Sequence, residues 1–455
     1  MQTLPKTIYL WLVLLVASML LGPRLAPRSP KSATPARYRL SGAAFDGSLE
    51  AERLLITHYG LKLVNEGMLW QAHGLYRQFA LKEADPTLVR KALILASQLT
   101  VPPVPLDEAL LKRLPEKERP LWRALYSPTP TSLPASAEAQ LRAMHLGFLT
   151  HQVLADLYQT QGDTRTAAAA RARRDAQAHS AFWRMASLVL AGIFLSVIGL
   201  GLLLFAGFVA ARREWHLLGR VPEPEEARLG WGELLDGFVF YLAIYRAGAL
   251  LVNLVISGLS LHPAQVPLQV ALQAGMGALA VLYVAVQAKK RGASLSELGW
   301  TRGRLGTNIA YGIAGYAMTL PVTIALGALS KVLFRNNPNT EPNPLLPLLT
   351  GSTGVWERGL LFASASLFAP LFEELFFRGA LFTGLRRRFS GIPSIVLSAV
   401  IFASVHPMQD WLSILGLGVS FGIMRHLRQS VVPGMVAHFL QNTATFLLLS
   451  ALFGE

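Results

Sequence analysis

The sequence predicts an all-α fold: a polytopic helical membrane protein of about eight spans behind an N-terminal signal anchor, with an extracytoplasmic helical domain. Three observations predict it. Of 455 residues, 52% are hydrophobic and only 15% are charged, where soluble domains carry roughly 25% charged residues. From Phe182 onward the apolar residues gather into long runs. The loops between those runs alternate between strongly basic and nearly free of cations, the asymmetry that orients helices across a bilayer.

The elements follow in order. Lys6 precedes the apolar run Ile8 to Leu21, and Arg24, Arg28 and Lys31 follow it, with Pro23, Pro27 and Pro30 between them. The run is shorter than the roughly 20 residues of a complete span. No small-x-small cleavage site follows, so residues 1–35 are expected to be a retained signal anchor and its linker. Residues 36–178 have the pattern of a soluble helical domain. Apolar positions recur at spacings of three and four, as in Leu49, Leu54, Leu55 and Leu61, Leu63, Val64, the period of a helix face. Pro-rich loops at 101–105 and 127–130 interrupt them. Leu154-Ala-Asp-Leu-Tyr158, Gly162-Asp163 and Ala167 resemble one helical hairpin of a tetratricopeptide-type repeat. A solenoid needs about three copies, so a small helical bundle is the competing reading. The Ala/Arg-rich stretch 167–178 has no breaker, which predicts one long helix running on into the next span.

Residues 179–235 then supply a span and a loop, and residues 236–455 a second membrane domain. Spans are expected near 182–210, 236–259, 266–288, 306–330, 358–384, 391–407, 410–425 and 432–452. Loop 211–235 carries Arg212, Arg213, Arg220 and Arg228, and loop 289–305 carries Lys289, Lys290, Arg291, Arg302 and Arg304. Arg386, Arg387 and Arg388 follow in the next basic loop, then Arg425 and Arg428. Loops 260–265 and 408–409 carry no cation, and the Pro/Asn-rich loop 331–357 carries few. The basic loops are expected to be cytoplasmic, which places 36–178 on the other side. The formal charge of +15 is thereby read as a topology signal, with no nucleic acid among the partners. The chain has no cysteine, which excludes a disulfide framework, a thiolate zinc site and a cysteine nucleophile.

The last four spans hold polar residues that a membrane tolerates only for a reason. A charge at bilayer depth costs roughly 2.5–3.5 kcal/mol or more. Glu373, Glu374 and Arg378 stand in the apolar run Pro370-Leu-Phe-Glu-Glu-Leu-Phe-Phe-Arg-Gly-Ala-Leu-Phe382. Ile401-Phe-Ala-Ser-Val-His406 and Val436-Ala-His-Phe-Leu-Gln-Asn442 occupy later spans. At the rise of a helix, Glu373 lies about 20 Å from the basic end of its span, His406 about 22 Å, and His438 and Asn442 about 15 and 21 Å. Three helices thus place polar groups in one slab. Glu374 and Arg378, four apart, share a helix face and can pair. Glu373 is turned about 100° away and needs partners from other helices. Beside a histidine it is a candidate general base for water. His438 and Asn442, also four apart, form a donor pair suited to a developing oxyanion. A base and an oxyanion site suffice for amide hydrolysis by activated water.

Glu373-Glu374-x-x-x-Arg378, Phe402-x-x-x-His406 and His438-x-x-x-Asn442, in this order on successive spans, resemble the CPBP family of intramembrane proteases. These are the CAAX-type and bacteriocin-processing enzymes, also called ABI or Rce1-like. Arg378-Gly-Ala-Leu-Phe382, His406-Pro407 with Asp410-Trp411, and the Gly-rich span from Gly416 to Gly422 are similar to bacterial members; Leu298-Gly-Trp300 is a weaker echo. The resemblance covers about residues 236–452 and leaves out 36–178. It implies an intramembrane endopeptidase acting on membrane-associated peptide or protein substrates. Glu373, assisted by His406, would activate water; His438 and Asn442 would stabilise the oxyanion; Glu374 and Arg378 would organise the site. Family members are described as metalloproteases, and a metal-free glutamate mechanism is also proposed for them. Glu373, His406 and His438 are the candidate ligands for zinc, two histidines and a carboxylate leaving a fourth position for water; the His438–Asn442 donor pair favours the metal-free form. The implied setting is the bilayer of a bacterial inner membrane, with a protein partner as the expected ligand of 36–178. The alternative is a non-proteolytic membrane scaffold with the same fold.

Overall fold

The computed structural model describes residues 5–25, 42–83, 85–100, 104–127, 132–144, 146–220, 228–258, 266–301, 303–334, 345, 349 and 354–453. The linker 26–35, the Pro-rich stretches 101–103 and 128–130, the loop 260–265 and most of the loop 331–357 lie outside the described residues. The described elements are helical, with no strand among them. In chain order they are α1 (Lys6–Leu25), α2 (Gly42–Gly60), α3 (Gly67–Lys82), α4 (Pro86–Ala96), α5 (Glu108–Leu111), α6 (Arg119–Tyr126), α7 (Ala137–Arg142) and α8 (Leu149–Thr160). Then come α9 (Thr164–Ala211), α10 (Trp231–Gly258), α11 (Val266–Lys290) and α12 (Leu305–Leu333). The last four are α13 (Val355–Arg386), α14 (Gly391–Ser404), α15 (Trp411–Arg428) and α16 (Val432–Phe453).

The chain divides into two compact units, one built on Lys31–Val189 with two short later segments, the other on Met1–Pro30, Leu190–Asn336 and Gly351–Phe446. In the first unit, α2 to α8 and the start of α9 enclose a core that includes Leu55, Tyr76, Leu93, Trp122, Leu141 and Val153. Its helix starts are local. Asp85 caps α4 by accepting from the Thr87 N–H at 2.7 Å, with Pro86 in the first turn. Asp107 caps α5 through the N–H groups of Ala109 and Leu110. Both caps satisfy donors that a helix start leaves orphaned. Helices α8 and α9 form the expected hairpin, turning through Gly162 at φ +80°, a left-handed conformation that glycine adopts at little cost. One sequence expectation fails here. The apolar spacing of Leu61, Leu63 and Val64 suggested continued helix, but α2 ends at Gly60. Leu61 and Val64 are exposed.

In the second unit each apolar run from 182 onward is occupied by one helix, α9 to α16. Among the described residues, four helices are long and apolar enough to cross a membrane: Thr164–Ala211, Val270–Lys290, Leu305–Leu333 and Val355–Arg386. The apolar stretches Lys6–Met19 and Gly391–Ser404 are shorter. Helix α14 stops at Ser404 instead of near 407, because Pro407 disfavours helical backbone in the residue before it. Helix α9 is continuous over 48 residues, the long helix that the breaker-free 167–178 stretch predicts. Helix α1 packs along α10, and Thr7 Oγ1 donates to Asp236 Oδ1 at 3.0 Å. Tyr283 of α11 donates to Asp236 Oδ2 at 2.5 Å, and Trp11 Nε1 donates to the Tyr283 hydroxyl at 3.1 Å. Trp11 also meets Phe240 edge-on at 4.7 Å.

Helix α13 is not a uniform α-helix. Two stretches, Ala363–Phe368 and Leu375–Leu381, are wound as π-helix. The first lies just before Pro370, whose ring has no N–H and would clash with the carbonyl four residues back in a tight α-turn. A wider turn relieves that clash, and such bulges re-aim the side chains that follow.

Candidate active site

Helix α13 carries Glu373, Glu374 and Arg378 into the interior of the second unit. The expected pair forms: Arg378 Nη1 lies 3.2 Å from Glu374 Oε1, and neither side chain has exposed surface. The guanidinium is held from three further directions. Nη2 donates to the Gly418 carbonyl at 3.2 Å. The ring of Phe402 lies 4.3 Å from the guanidinium carbon and that of Phe421 5.1 Å. A desolvated cation against aromatic faces gains from their quadrupoles, so the charge is accommodated by a carboxylate, a carbonyl and two rings. The Arg378 carbonyl accepts from Arg425 Nε at 3.1 Å, and Arg425 Nη2 also donates to Thr383 Oγ1.

Helix α16 brings His438 between the two acids. Its Nδ1 is 3.3 Å from Glu374 Oε1 and its Nε2 is 3.9 Å from Glu373 Oε2. Phe421 stacks on the imidazole at 5.3 Å. The approach depends on Gly434, one turn earlier. A Cβ there would sit 2.6 Å from Glu374 Oε2, so any larger residue would have to displace the Glu374 carboxylate or α16 itself. Asn442, a turn beyond His438, donates through Nδ2 to the Ala365 carbonyl at 2.8 Å. That carbonyl belongs to the first π-helical stretch of α13.

His406 stands just beyond the end of α14. Its Nδ1 donates to the Phe402 carbonyl at 2.8 Å, and its ring meets Phe402 edge-on at 4.8 Å. Phe402 in turn lies 6.0 Å from the His438 ring. The histidine that directly faces Glu373 is therefore His438. Glu373 is 21% exposed while Glu374 is not exposed at all, so the two adjacent acids differ in access. The Oε2 atoms of both acids are buried and accept no hydrogen bond among the described residues. No three histidine, aspartate or glutamate side chains among the described residues converge as metal ligands. Glu373, His406 and His438 as arranged thus do not fit a three-ligand zinc site.

Phe421, Gly434 and Arg425 were not legible as site residues. Arg425 read as a loop cation, Phe421 lay unremarked in the Gly-rich span from Gly416 to Gly422, and Gly434 stood near the start of a span. Only Gly434 left a usable signal, its spacing of four before His438.

The comparisons with known proteins meet this geometry. Residues 355–444, from the start of α13 to the middle of α16, match the family model of the type II CAAX prenyl endopeptidase Rce1-like proteins. These residues form an Rce1-like domain. No curated protein and no solved structure matches the chain significantly. Glu373, Glu374, Arg378, His406, His438 and Asn442 all fall inside the Rce1-like domain, while α10 to α12 lie outside it. The family is one of proteases. With four helices of spanning length, the Rce1-like domain makes this a multi-pass integral membrane protein.

Proposed function

We infer that the protein is an intramembrane endopeptidase that hydrolyses peptide bonds of membrane-associated substrates through carboxylate-activated water. The observation that carries this reading is His438 set between Glu373 and Glu374, at 3.9 and 3.3 Å, on a helix separate from theirs. Two carboxylates and one guanidinium leave one uncompensated negative charge in the cluster. Glu373 Oε2 accepts no hydrogen bond among the described residues, so its lone pairs remain for a proton taken from water.

In this mechanism Glu373, the more accessible acid, takes a proton from water as the water oxygen attacks the carbonyl carbon. The carbonyl π electrons move onto oxygen. His438 and the second N–H of the Asn442 amide, whose first is held by Ala365, stabilise the oxyanion. Collapse breaks the C–N bond, and the proton on Glu373 passes to the departing nitrogen. Glu374 and Arg378 hold the His438 ring in position. His406 supports the site through Phe402, a role one contact further out than its sequence motif implies.

The test is cleavage of a membrane-tethered CAAX-type peptide by the purified protein in lipid nanodiscs. Removing a general base or its partner typically lowers rates about 10²–10⁴-fold. Glu373→Gln is expected to lose activity on this scale with unchanged melting behaviour, and His438→Ala to lose activity with a lowered melting temperature, because it also removes a partner of buried Glu374. Full activity in Glu373→Gln would overturn the mechanism. Substrate capture by Glu373→Gln then identifies what the enzyme cleaves.

A further inference from the structure

The turn that closes α2 presents an apolar tip with no packing role. Val64 is 95% exposed and Leu61 45%. The tip is rigidly made. Leu63 N–H donates to the His58 carbonyl at 2.9 Å and Lys62 N–H to the Tyr59 carbonyl at 3.2 Å. This is a Schellman closure of the helix. Its left-handed position, φ 52°, is occupied by Lys62, where glycine would cost less. The chain thus accepts some backbone strain to hold Leu61, Lys62 and Val64 outward. Glu66, the acid that follows, is engaged by the N–H and hydroxyl of Thr100.

The tip has a fixed height along α9. His179 Nδ1 donates to the Gly60 carbonyl at 2.9 Å. A Cβ on Gly60 would lie 2.7 Å from Phe182 Cβ and 3.0 Å from the Ala178 carbonyl. The tip therefore springs from α2 at the level of Ala178 to Phe182. At that level α9 changes character. Trp183 is 52% exposed and Arg184 is the last charged residue. The run from Met185 to Ala211 carries no Asp, Glu, Lys or Arg. An exposed tryptophan and an arginine at the head of an uncharged run mark the headgroup level of a span. Two exposed aliphatic side chains around a lysine, at the same level, match the chemistry of that boundary: hydrocarbon below, phosphate above.

We propose that the 61–64 tip is a membrane-docking element, with Leu61 and Val64 inserted at the headgroup–acyl boundary beside Trp183 and Lys62 on lipid phosphate. The tip then gives the helical unit a second attachment to the bilayer besides α9, limiting its swing about that one helix. The proposal rests on α9 crossing the membrane and not on the protease reading.

The absence of cysteine makes the test direct. Val64→Cys is prepared in the full chain, with Val197→Cys on the apolar run of α9 and Lys117→Cys on the helical unit as references. Each is reconstituted in nanodiscs of phosphatidylethanolamine and phosphatidylglycerol and labelled with a small environment-sensitive fluorophore. At Val64 and Val197 the fluorophore is expected to be quenched by doxyl-labelled lipid; at Lys117 only a water-soluble quencher should act. Before labelling, Val64→Cys should react with a charged, impermeant maleimide about tenfold more slowly than Lys117→Cys, the factor set by burying one valine-sized side chain. Quenching of Val64 by the aqueous agent as strongly as Lys117 overturns the proposal. So does shielding from the aqueous agent without quenching by lipid, which would mean a protein covers the tip.

Discussion

Arg378 shows how a charge is made tolerable in an apolar helix. Its ion pair with Glu374 is completed by the Gly418 carbonyl and two aromatic faces. Removing one member of a buried pair leaves the other uncompensated, at a cost of about 3–5 kcal/mol. Arg378→Met is therefore expected to lower the melting temperature steeply in detergent and to reduce folded yield, whereas Glu373→Gln leaves both unchanged. Gly434 gives a second residue-scale prediction. A methyl group there must displace Glu374 or α16, since it would lie 2.6 Å from the carboxylate. Overpacking of this kind costs about 1–3 kcal/mol, so Gly434→Ala should lose cleavage activity with modest destabilisation, measured by peptide hydrolysis alongside a thermal melt. The pairing of Glu374 with Arg378 was legible from their spacing alone. That His438 and not His406 faces Glu373 was not legible, because spacing fixes neighbours only within one helix.

Single elements carry more than their hydropathy shows. Helix α1 was read as an anchor, and that reading concerns only its apolarity. In the folded unit its Thr7 and Trp11 reach Asp236 and Tyr283, and Asp236 is buried. The same face of the unit continues to the site's helix through Tyr241 stacked on Phe376 at 4.3 Å and Phe238 against Phe377 at 5.3 Å. Asp236→Leu removes the acceptor for two hydroxyls and should cost about 1–3 kcal/mol, as for other orphaned buried donors. Asp236→Asn keeps one acceptor oxygen and should restore part of that loss in a thermal melt of the purified protein. The π-helical stretches of α13 had one sequence cue, Pro370. Their extent depends on how the helix packs.

At the scale of the whole molecule, the helical unit should respond to acid. In the helical unit His58 and His73 are buried, and burial holds both imidazoles below their ordinary value of 6.5, with Arg174 and Arg77 respectively adding to it. A depressed histidine keeps the folded state neutral while the unfolded chain takes up the proton. Their stabilising contribution is thus complete above 6.5 and is lost as pH falls from there through the depressed folded values. Asp156 runs the other way. Burial raises its carboxyl against the opposing hydrogen bonds from Tyr126 and Gln152, so its contribution is fullest in acid and is lost as pH rises through the raised value. The protection of α3 amides, as exchange rates divided by the intrinsic rate at each pH, is expected to weaken between pH 7.5 and 5.5 and to change less in His73→Leu. Conversely, Asp156→Asn should remove stability that the wild type gains near and below pH 4. Unchanged α3 protection across this range would contradict the assignment of His73 as a buried neutral group.

The sequence by itself determined the helical class, the order of apolar runs, the long α9 helix and the three motifs that mark the Rce1-like domain. Those properties are written in local periodicity, charge and spacing, which act over a few turns of chain. Tertiary structure alone decided which histidine meets which acid, the aromatic enclosure of Arg378, the clearance at Gly434 and the outward tip at Leu61 to Val64. Each depends on the distance between elements far apart in the chain, or on a helix ending a few residues before its apolar pattern does. Local pattern holds no information about either.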